Sequence, residues 1–148
     1  MKTSQRGINL IKESESLQLT AYLCPAGVPT IGYGHTGPDV TPADVKNKKT
    51  ITEAQAEALL AADLAPREHD VLASVRTAIN QNQFDALVDF VFNLGIGNFR
   101  SSTLLKKINA NPNDLSIADE FMKWVNSNKK PLKGLVIRRA KEVILYLS

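Results

Sequence analysis

The amino-acid sequence predicts an α+β fold that is mainly α-helical, with a small β-hairpin lobe near the N-terminus and a larger helical lobe after it. Residues 17–22 alternate apolar and polar side chains as a half-buried strand does, and residues 28–33 are predicted as a second strand that returns along it. The turn between them runs from Cys24 to Gly27 and contains Pro25, which presets φ, while Gly27 tolerates positive φ. After residue 40 the apolar residues change to helical spacing, as in Phe84, Leu87, Val88 and Val91.

The N-terminal elements follow from local signals. Residues 4–13 are predicted as a short helix, because apolar side chains recur at helical spacing in Ile8, Leu10 and Ile11. A helix begins after Thr41, which is followed by a Pro at the first helical position. A capping box from Thr52 to Gln55 opens an Ala- and Leu-rich helix over 52–65. Pro66 is expected to break or kink that helix, because it lacks a hydrogen-bond donor.

Four more helices are predicted in the second half of the chain. Gly95 and Gly97 are expected to end the helix that contains Phe84, and Ser101-Ser102 to cap the next one. Each of the last three helices has an apolar face. The first face consists of Leu104, Leu105 and Ile108, and the second of Ile117, Phe121, Trp124 and Val125. The face of the last helix consists of Val136, Ala140, Val143, Ile144 and Leu147. We expect these faces to be turned toward the core.

The length of 148 residues favours a single domain over the whole chain. We divide it into a small lobe over about 14–51, an inter-lobe helix over about 52–65, and a helical lobe over about 66–148 that includes the N-terminal helix. Two lobes leave a cleft, where ligand sites are commonly found. Pro66 then marks either a hinge or a plain corner between helices.

The composition excludes several classes of protein. Apolar residues make up 43% and charged residues 22%, as in an ordinary soluble globule. Cys24 is the only cysteine and the two histidines, His35 and His69, lie far apart, so no disulfide or thiolate zinc site is expected. No membrane span or secretory signal is present, and we expect neither a metal nor a cofactor.

The charge is unevenly distributed along the chain. The formal charge is +3, but residues 121–148 carry seven basic residues against the single acid Glu142, which gives +6 there. This basic segment favours weak electrostatic contact with an anionic cell envelope, unless it is simply a solvated helix face. Aromatic residues are not interleaved with the cations, so nucleic acid is not expected as a partner. A monomer is the default expectation.

Three chemically interesting residues surround the hairpin. Glu15 follows the first helix, Cys24 lies at the turn, and Thr30 begins the returning strand. A hairpin that folds back toward the helix end would bring all three around one small volume. From the residues alone, a surface glutamate and a buried, inert cysteine explain the pattern equally well.

The spacing of these residues is similar to that of a known protein family. Glu15 is followed after eight residues by Cys24 and after five more by Thr30, and then by the run Gly32-Tyr33-Gly34-His35. This pattern resembles the signature of the phage-type lysozymes, glycoside hydrolase family 24, in which the second position is Asp or Cys. Further matches lie at 83–87, 92–95, 99–104 and 134–140, so that the resemblance spans nearly the whole chain.

The resemblance implies a lysozyme-like fold and an endolysin muramidase. Such an enzyme hydrolyses the β-1,4 bond between N-acetylmuramic acid and N-acetylglucosamine in bacterial peptidoglycan and lyses the host cell. Glu15 would be the general acid, and Cys24 and Thr30 would position the attacking water. Since no export segment precedes Glu15, we expect storage in the host cytoplasm until a holin releases the protein to the cell wall.

The resemblance also suggests supporting residues. Arg139 aligns with an arginine that pairs with the catalytic glutamate; the alternative is a surface arginine on the last helix. His35 aligns with a histidine that pairs with an acid, best matched here by Asp63, in a structural ion pair. Phe92 and Ser102 align with positions that line the sugar cleft, although core packing and helix capping explain them as well.

Three other functions compete with hydrolysis. A lytic transglycosylase would need Glu15 alone and would leave a 1,6-anhydro sugar. A cysteine peptidase would need Cys24 with His35, but no helix opens at Cys24 to stabilise a thiolate. A non-catalytic wall-binding module would rely on the basic C-terminal segment.

Overall fold

The computed structural model describes residues 1–148 and contains eight helices and four short strands. The predicted class, α+β and mainly α, is confirmed. In chain order the elements are α1 (Gln5–Glu15), β1 (Gln18–Leu23), β2 (Pro29–Gly32), α2 (Pro42–Lys46), α3 (Glu53–Ser74), α4 (Gln81–Leu94), α5 (Ile96–Ser101), α6 (Thr103–Ala110), α7 (Ile117–Met122), β3 (Asn126–Ser127), β4 (Lys130–Pro131) and α8 (Lys133–Tyr146). None of the helices combines the length and the apolar character that a membrane crossing requires.

The chain divides into two compact units, one of residues 11–65 and the other of residues 1–10 with 66–148. In the first, which we call the hairpin unit, β1 and β2 pair antiparallel, and Tyr22 lies opposite Thr30. Its small core consists of Ala21, Ile31 and Val40, with Val45, Ile51 and Leu59 packed against it. The predicted capping box at Thr52 is present, since Thr52 and Gln55 exchange hydrogen bonds between backbone and side chain.

The second unit, which we call the helical unit, is built around α4. Nine consecutive residues of this helix, from Gln83 to Val91, are buried. The ring of Phe90 lies 5.7–6.0 Å from three other aromatic rings, those of Phe99, Phe121 and Trp124. The start of α1 is attached to α4, because the backbone amide of Ser4 donates a 3.0 Å hydrogen bond to Asp85. This core corresponds to the helical spacing that the sequence predicted around Phe84.

Three predicted helix boundaries are wrong. Pro66 does not break its helix, since α3 continues through it to Ser74. Proline removes only one backbone hydrogen bond, and buried residues on both sides, Leu64 and Val71, favour the helical conformation across it. Gly97 lies inside α5 rather than at a helix end, and Trp124 and Val125 lie beyond α7.

The last helix buries a different face from the one predicted. The residues of α8 that are buried are Arg138, Arg139, Glu142, Leu145 and Tyr146. Val136, Ile144 and Leu147, which the periodicity assigned to the core, are exposed. Hydrophobic periodicity cannot detect this arrangement, because the buried arginines and glutamate neutralise one another through ion pairs that form only in the folded chain.

Candidate functional site

The turn of the hairpin brings Cys24 and Thr30 together. The carbonyl of Val28 accepts two hydrogen bonds, one from the backbone amide of Cys24 at 3.0 Å and one from the Thr30 hydroxyl at 2.8 Å. The Thr30 side chain also helps to lower the pKa of the Cys24 thiol. Thr30 is buried, whereas Cys24 is half-buried. The two side chains therefore form a fixed pair with the sulfur accessible.

The surroundings of Cys24 favour its ionised form. Hydrogen bonds with the backbone of Val28 and of Ala26 lower the pKa of the Cys24 thiol. Burial acts in the opposite direction, and the Thr30 hydroxyl adds to the lowering. A tight turn supplies this effect because its backbone N–H groups point inward toward the sulfur. The thiolate is thus available at a lower pH than in an ordinary cysteine.

Glu15 is the last residue of α1 and lies against a glycine of the hairpin unit. The helix ends there because Ser16 has a φ of 61°, and its amide donates a 3.0 Å hydrogen bond to the Lys12 carbonyl. A Cβ atom at Gly34 would lie 2.8 Å from Glu15 Oε2, and the φ of Gly34 is 71°. Both its backbone conformation and its close approach to the carboxylate require glycine at this position.

The pKa of Tyr22 depends on both Glu15 and Cys24. The pKa of Tyr22 is raised, first by burial and then by the negative charges of Cys24 and of Glu15. The charges of both groups therefore act on the same phenol, and Thr30 pairs with Tyr22 across the hairpin. The sequence analysis did not single out this tyrosine.

His35 forms a second polar centre in the hairpin unit. Its Nδ1 lies 2.8 Å from Asp63 Oδ2, and its Nε2 lies 2.9 Å from Asp39 Oδ2. Burial acts to lower the pKa of His35, but hydrogen bonds to Asp63 and Asp39, together with their charges, raise it overall. The same contact lowers the pKa of Asp39. Asp39 was missed by the sequence analysis, although its position four residues after the histidine was visible.

The residues predicted to contact sugar lie in the helical unit. Ser102 is buried and caps α6: its hydroxyl donates to the Phe99 carbonyl at 2.6 Å and accepts from the Leu105 amide at 3.1 Å. Helix capping therefore uses its hydroxyl hydrogen. Phe92 is half-buried, and the Arg67 guanidinium lies 5.9 Å from its ring centroid. Contact of either residue with substrate stays a prediction.

Arg139 is completely buried, which excludes the alternative of a surface arginine. Its Nη2 donates to Asn93 Oδ1 at 2.7 Å and to Glu142 Oε2 at 2.9 Å, and its Nη1 donates to the Trp124 carbonyl at 3.3 Å. These contacts belong to the helical unit. The predicted role of Arg139 in orienting the Glu15 carboxylate stays a prediction.

A second buried ion pair lies beside Arg139. Arg138 Nη2 is 2.8 Å from Asp89 Oδ1, and both side chains are almost inaccessible to solvent. Burial, with the hydrogen bond and charge of Asp89, raises the pKa of Glu142 well above its usual range. Glu142 therefore keeps its proton to a higher pH than an ordinary glutamate does. Asp89 and Glu142 were not predicted as partners, since nothing in their spacing relates residues 89 and 142.

Comparison with known proteins identifies the family of the chain. The family model described as "Phage lysozyme" matches residues 12–142 of the chain. The chain belongs to the phage lysozyme family.

Three relatives illustrate the extent of the similarity to other phage lysozymes and endolysins. The endolysin of Acyrthosiphon pisum secondary endosymbiont phage 1 is 44% identical over 100% of this chain and 99% of its own length. The endolysin of Bacillus phage PZA is 46% identical over 100% of this chain, which spans only 56% of that relative. The muramidase domain of SpmX from Asticaccaulis excentricus superposes with a TM-score of 0.87 at 37% identity, covering 99% of this chain and 98% of that domain.

Proposed function

We propose that this member of the phage lysozyme family is an endolysin muramidase. It hydrolyses the β-1,4 bond between N-acetylmuramic acid and N-acetylglucosamine in bacterial peptidoglycan, and so lyses the host cell. The observation that carries the proposal is that the charges of Glu15 and of Cys24 both raise the pKa of Tyr22, which pairs with Thr30 across the hairpin. Family membership, and the muramidase name of the SpmX domain, support it.

Each residue has a distinct role in the proposed reaction. Glu15 gives its proton to the glycosidic oxygen as the bond to the leaving sugar breaks. The Thr30 hydroxyl donates its hydrogen to the Val28 carbonyl, so its remaining lone pairs can accept a hydrogen bond from water. The Cys24 thiolate takes the proton of that water while the oxygen attacks the anomeric carbon. Attack from the face opposite to the leaving group inverts the configuration.

Muropeptide mass spectrometry after Glu15→Gln tests the proposal. We expect the wild-type protein to release fragments with hydrated reducing ends, and the variant to release none, because an amide cannot donate the proton. Glu13→Gln is the matched control, since Glu13 is an exposed residue in the last turn of the same helix. Products with 1,6-anhydro ends would instead identify a lytic transglycosylase that uses Glu15 alone.

The two remaining alternatives are tested with the same digests. Full clearing of outer-membrane-stripped cells by Glu15→Gln would exclude Glu15 as the catalytic acid, and wall binding by the wild type without clearing would identify a wall-binding module. Cleaved peptide cross-links with intact glycan would identify a cysteine peptidase that uses Cys24 and His35.

We also propose the route by which the protein reaches the wall. The protein is held in the host cytoplasm and is released by a holin. Expression without a holin should give the protein in the cytoplasmic fraction and no lysis, whereas co-expression of a holin should cause lysis. Spontaneous lysis without a holin would contradict this route.

A further inference from the structure

Helix α8 presents an apolar stripe to solvent. Val136, Ile137 and Ile144 of this helix and its C-cap residue, Leu147, are exposed by 36%, 45%, 66% and 51%. With the half-buried Ala140 between them, they recur at intervals of one, three or four residues and share one side of the helix. We call these five residues the α8 stripe. Single exposed apolar residues are common, but a stripe along a whole helix is a different feature.

The stripe cannot be turned into the core. The opposite side of α8 is fixed by Arg138, which pairs with Asp89, and by Arg139, which pairs with Glu142. Rotating the helix would expose these pairs and leave Asp89, itself inaccessible to solvent, without its guanidinium partner. The folded protein therefore displays the α8 stripe permanently.

The exposed charged residues of the segment 121–148 are all basic. Lys133 lies one turn before Ile137, and Lys141 lies one turn after it; both lysines are exposed. Lys129 and Lys130 are exposed on the β3–β4 hairpin that immediately precedes the helix. The only acidic side chain in residues 121–148 is Glu142, which is completely buried and has a raised pKa. The exposed surface of this segment is thus apolar and cationic, with no side-chain carboxylate.

A second copy of the chain does not fit this surface. The stripe runs along a helix of 14 residues, about 21 Å long and about 10 Å wide, so two copies would bury about 400 Å². A stable interface usually buries about 1,200 Å² or more. A twofold dimer would also bring the exposed lysines of the two copies close to one another.

We propose that the α8 stripe and its lysines form a docking surface for an anionic phospholipid bilayer. The helix lies in the plane of the membrane interface, where its apolar side chains enter the acyl boundary and its lysines contact lipid phosphates. This binding does not depend on the hydrolytic activity. It would hold the protein at an anionic membrane surface.

Co-sedimentation with vesicles tests the proposal. The wild-type protein should bind vesicles of equal parts phosphatidylglycerol and phosphatidylcholine, and should not bind vesicles of phosphatidylcholine alone. Ile137→Ser with Ile144→Ser should weaken binding by about tenfold or more, since both side chains are exposed and neither contributes to the core. Lys133→Gln with Lys141→Gln should weaken it several-fold, as should raising NaCl from about 0.05 to 0.5 M.

Two controls distinguish vesicle binding by the α8 stripe from non-specific adsorption and from catalysis. Leu72→Ser with Leu115→Ser removes exposed apolar residues elsewhere in the helical unit, where exposures are 47% and 77%, and should leave vesicle binding unchanged. Glu15→Gln should bind vesicles like the wild type even where it has lost hydrolysis. No binding to the anionic vesicles, or an equal loss in the leucine control, would overturn the proposal. So would a dimer in sedimentation velocity that Ile144→Ser dissociates, which would assign the stripe to a second copy.

Discussion

His35 Nδ1 lies 2.8 Å from Asp63 Oδ2, and the other ring nitrogen faces Asp39. In its protonated form a histidine with a carboxylate at each nitrogen donates hydrogen bonds from both, and the pKa of His35 is raised accordingly. Because Asp63 belongs to α3 and His35 follows β2, the contact joins the long helix to the hairpin. It is the main polar link that the structure shows between these two elements.

The first prediction concerns the pH dependence of this contact. The pKa of His35 is raised in the folded protein, so the stabilisation is fully present below the unfolded pKa of about 6.5 and is lost as pH rises through the folded pKa. His35→Asn should lower the free energy of unfolding by about 1–3 kcal/mol at pH 6, and by less at higher pH. Urea denaturation at several pH values measures the difference.

A pH-independent difference would contradict this explanation. Asp39→Asn provides the comparison, since the Asp39 side chain is 58% exposed. Its loss should cost only about 0.5 kcal/mol, as expected for a solvated ion pair.

The second prediction concerns Gly34. Alanine there would combine a positive φ with a Cβ atom 2.8 Å from Glu15 Oε2. We expect Gly34→Ala to lower the free energy of unfolding by about 1–2 kcal/mol through backbone strain. It should also lower peptidoglycan hydrolysis by about tenfold or more, because the carboxylate must move.

Gly95→Ala controls for the strain alone. Gly95 has a φ of 88°, and nothing lies within 4 Å of the position that its Cβ would occupy. This variant should lose stability while it keeps its activity at temperatures where it remains folded. Equal activity losses in the two variants would show that position 34 acts through stability only.

The third prediction concerns the ionisation of Cys24. If its thiolate takes the proton of the attacking water, activity should rise with pH through the lowered pKa of the thiol. Cys24→Asp should remain active at lower pH, because a carboxylate is ionised above about pH 4. Cys24→Ser, which can hold water but does not ionise, should lose most of the activity. Superimposable acidic limbs in the pH–rate profiles of the wild type and Cys24→Asp would exclude Cys24 as the base.

The fourth prediction concerns the buried pair of Arg138 and Asp89. Arg138→Met should lower the free energy of unfolding by about 3–5 kcal/mol, because it leaves a buried carboxylate without its guanidinium. Combining it with Asp89→Leu should restore part of the loss. Lys123→Met should cost no more than about 1 kcal/mol, because the Lys123 side chain is 64% exposed and Glu120 keeps its ion pair with Lys107. Strict additivity of the Arg138 and Asp89 substitutions would show that the two side chains do not interact energetically.

The local elements were predictable because their signals are local. The hairpin follows from alternation and from the turn at Gly27, which has a φ of 77°. The start of α3 follows from Thr52 and Gln55, whose capping bonds join residues three apart. The predicted helix end at Pro66 is wrong because the prediction considered only the missing hydrogen bond. It did not include the burial of Leu64 and Val71 on either side of the proline.

The three residues of the candidate site were predicted from their spacing, which can be seen directly in the amino-acid sequence. Tyr22, whose pKa is raised by the charges of Glu15 and Cys24, was not found, because a tyrosine in an alternating strand has no distinctive pattern. Which face of α8 is buried could not be predicted either. An arginine is predicted to be exposed unless an acidic partner is known. The partner of Arg138 could not be inferred from the sequence, because Asp89 lies 49 residues away.

The order of residues alone therefore specifies the helices, the hairpin and the spacing of Glu15, Cys24 and Thr30, because capping, turns and periodicity act over a few positions. The burial of Arg138, Arg139 and Glu142, and with it the exposure of the α8 stripe, was decided only by tertiary structure. The physical reason is that a charged side chain leaves water only when an opposite charge or a proton from another element neutralises it. Such a partner exists only once distant parts of the chain have come together.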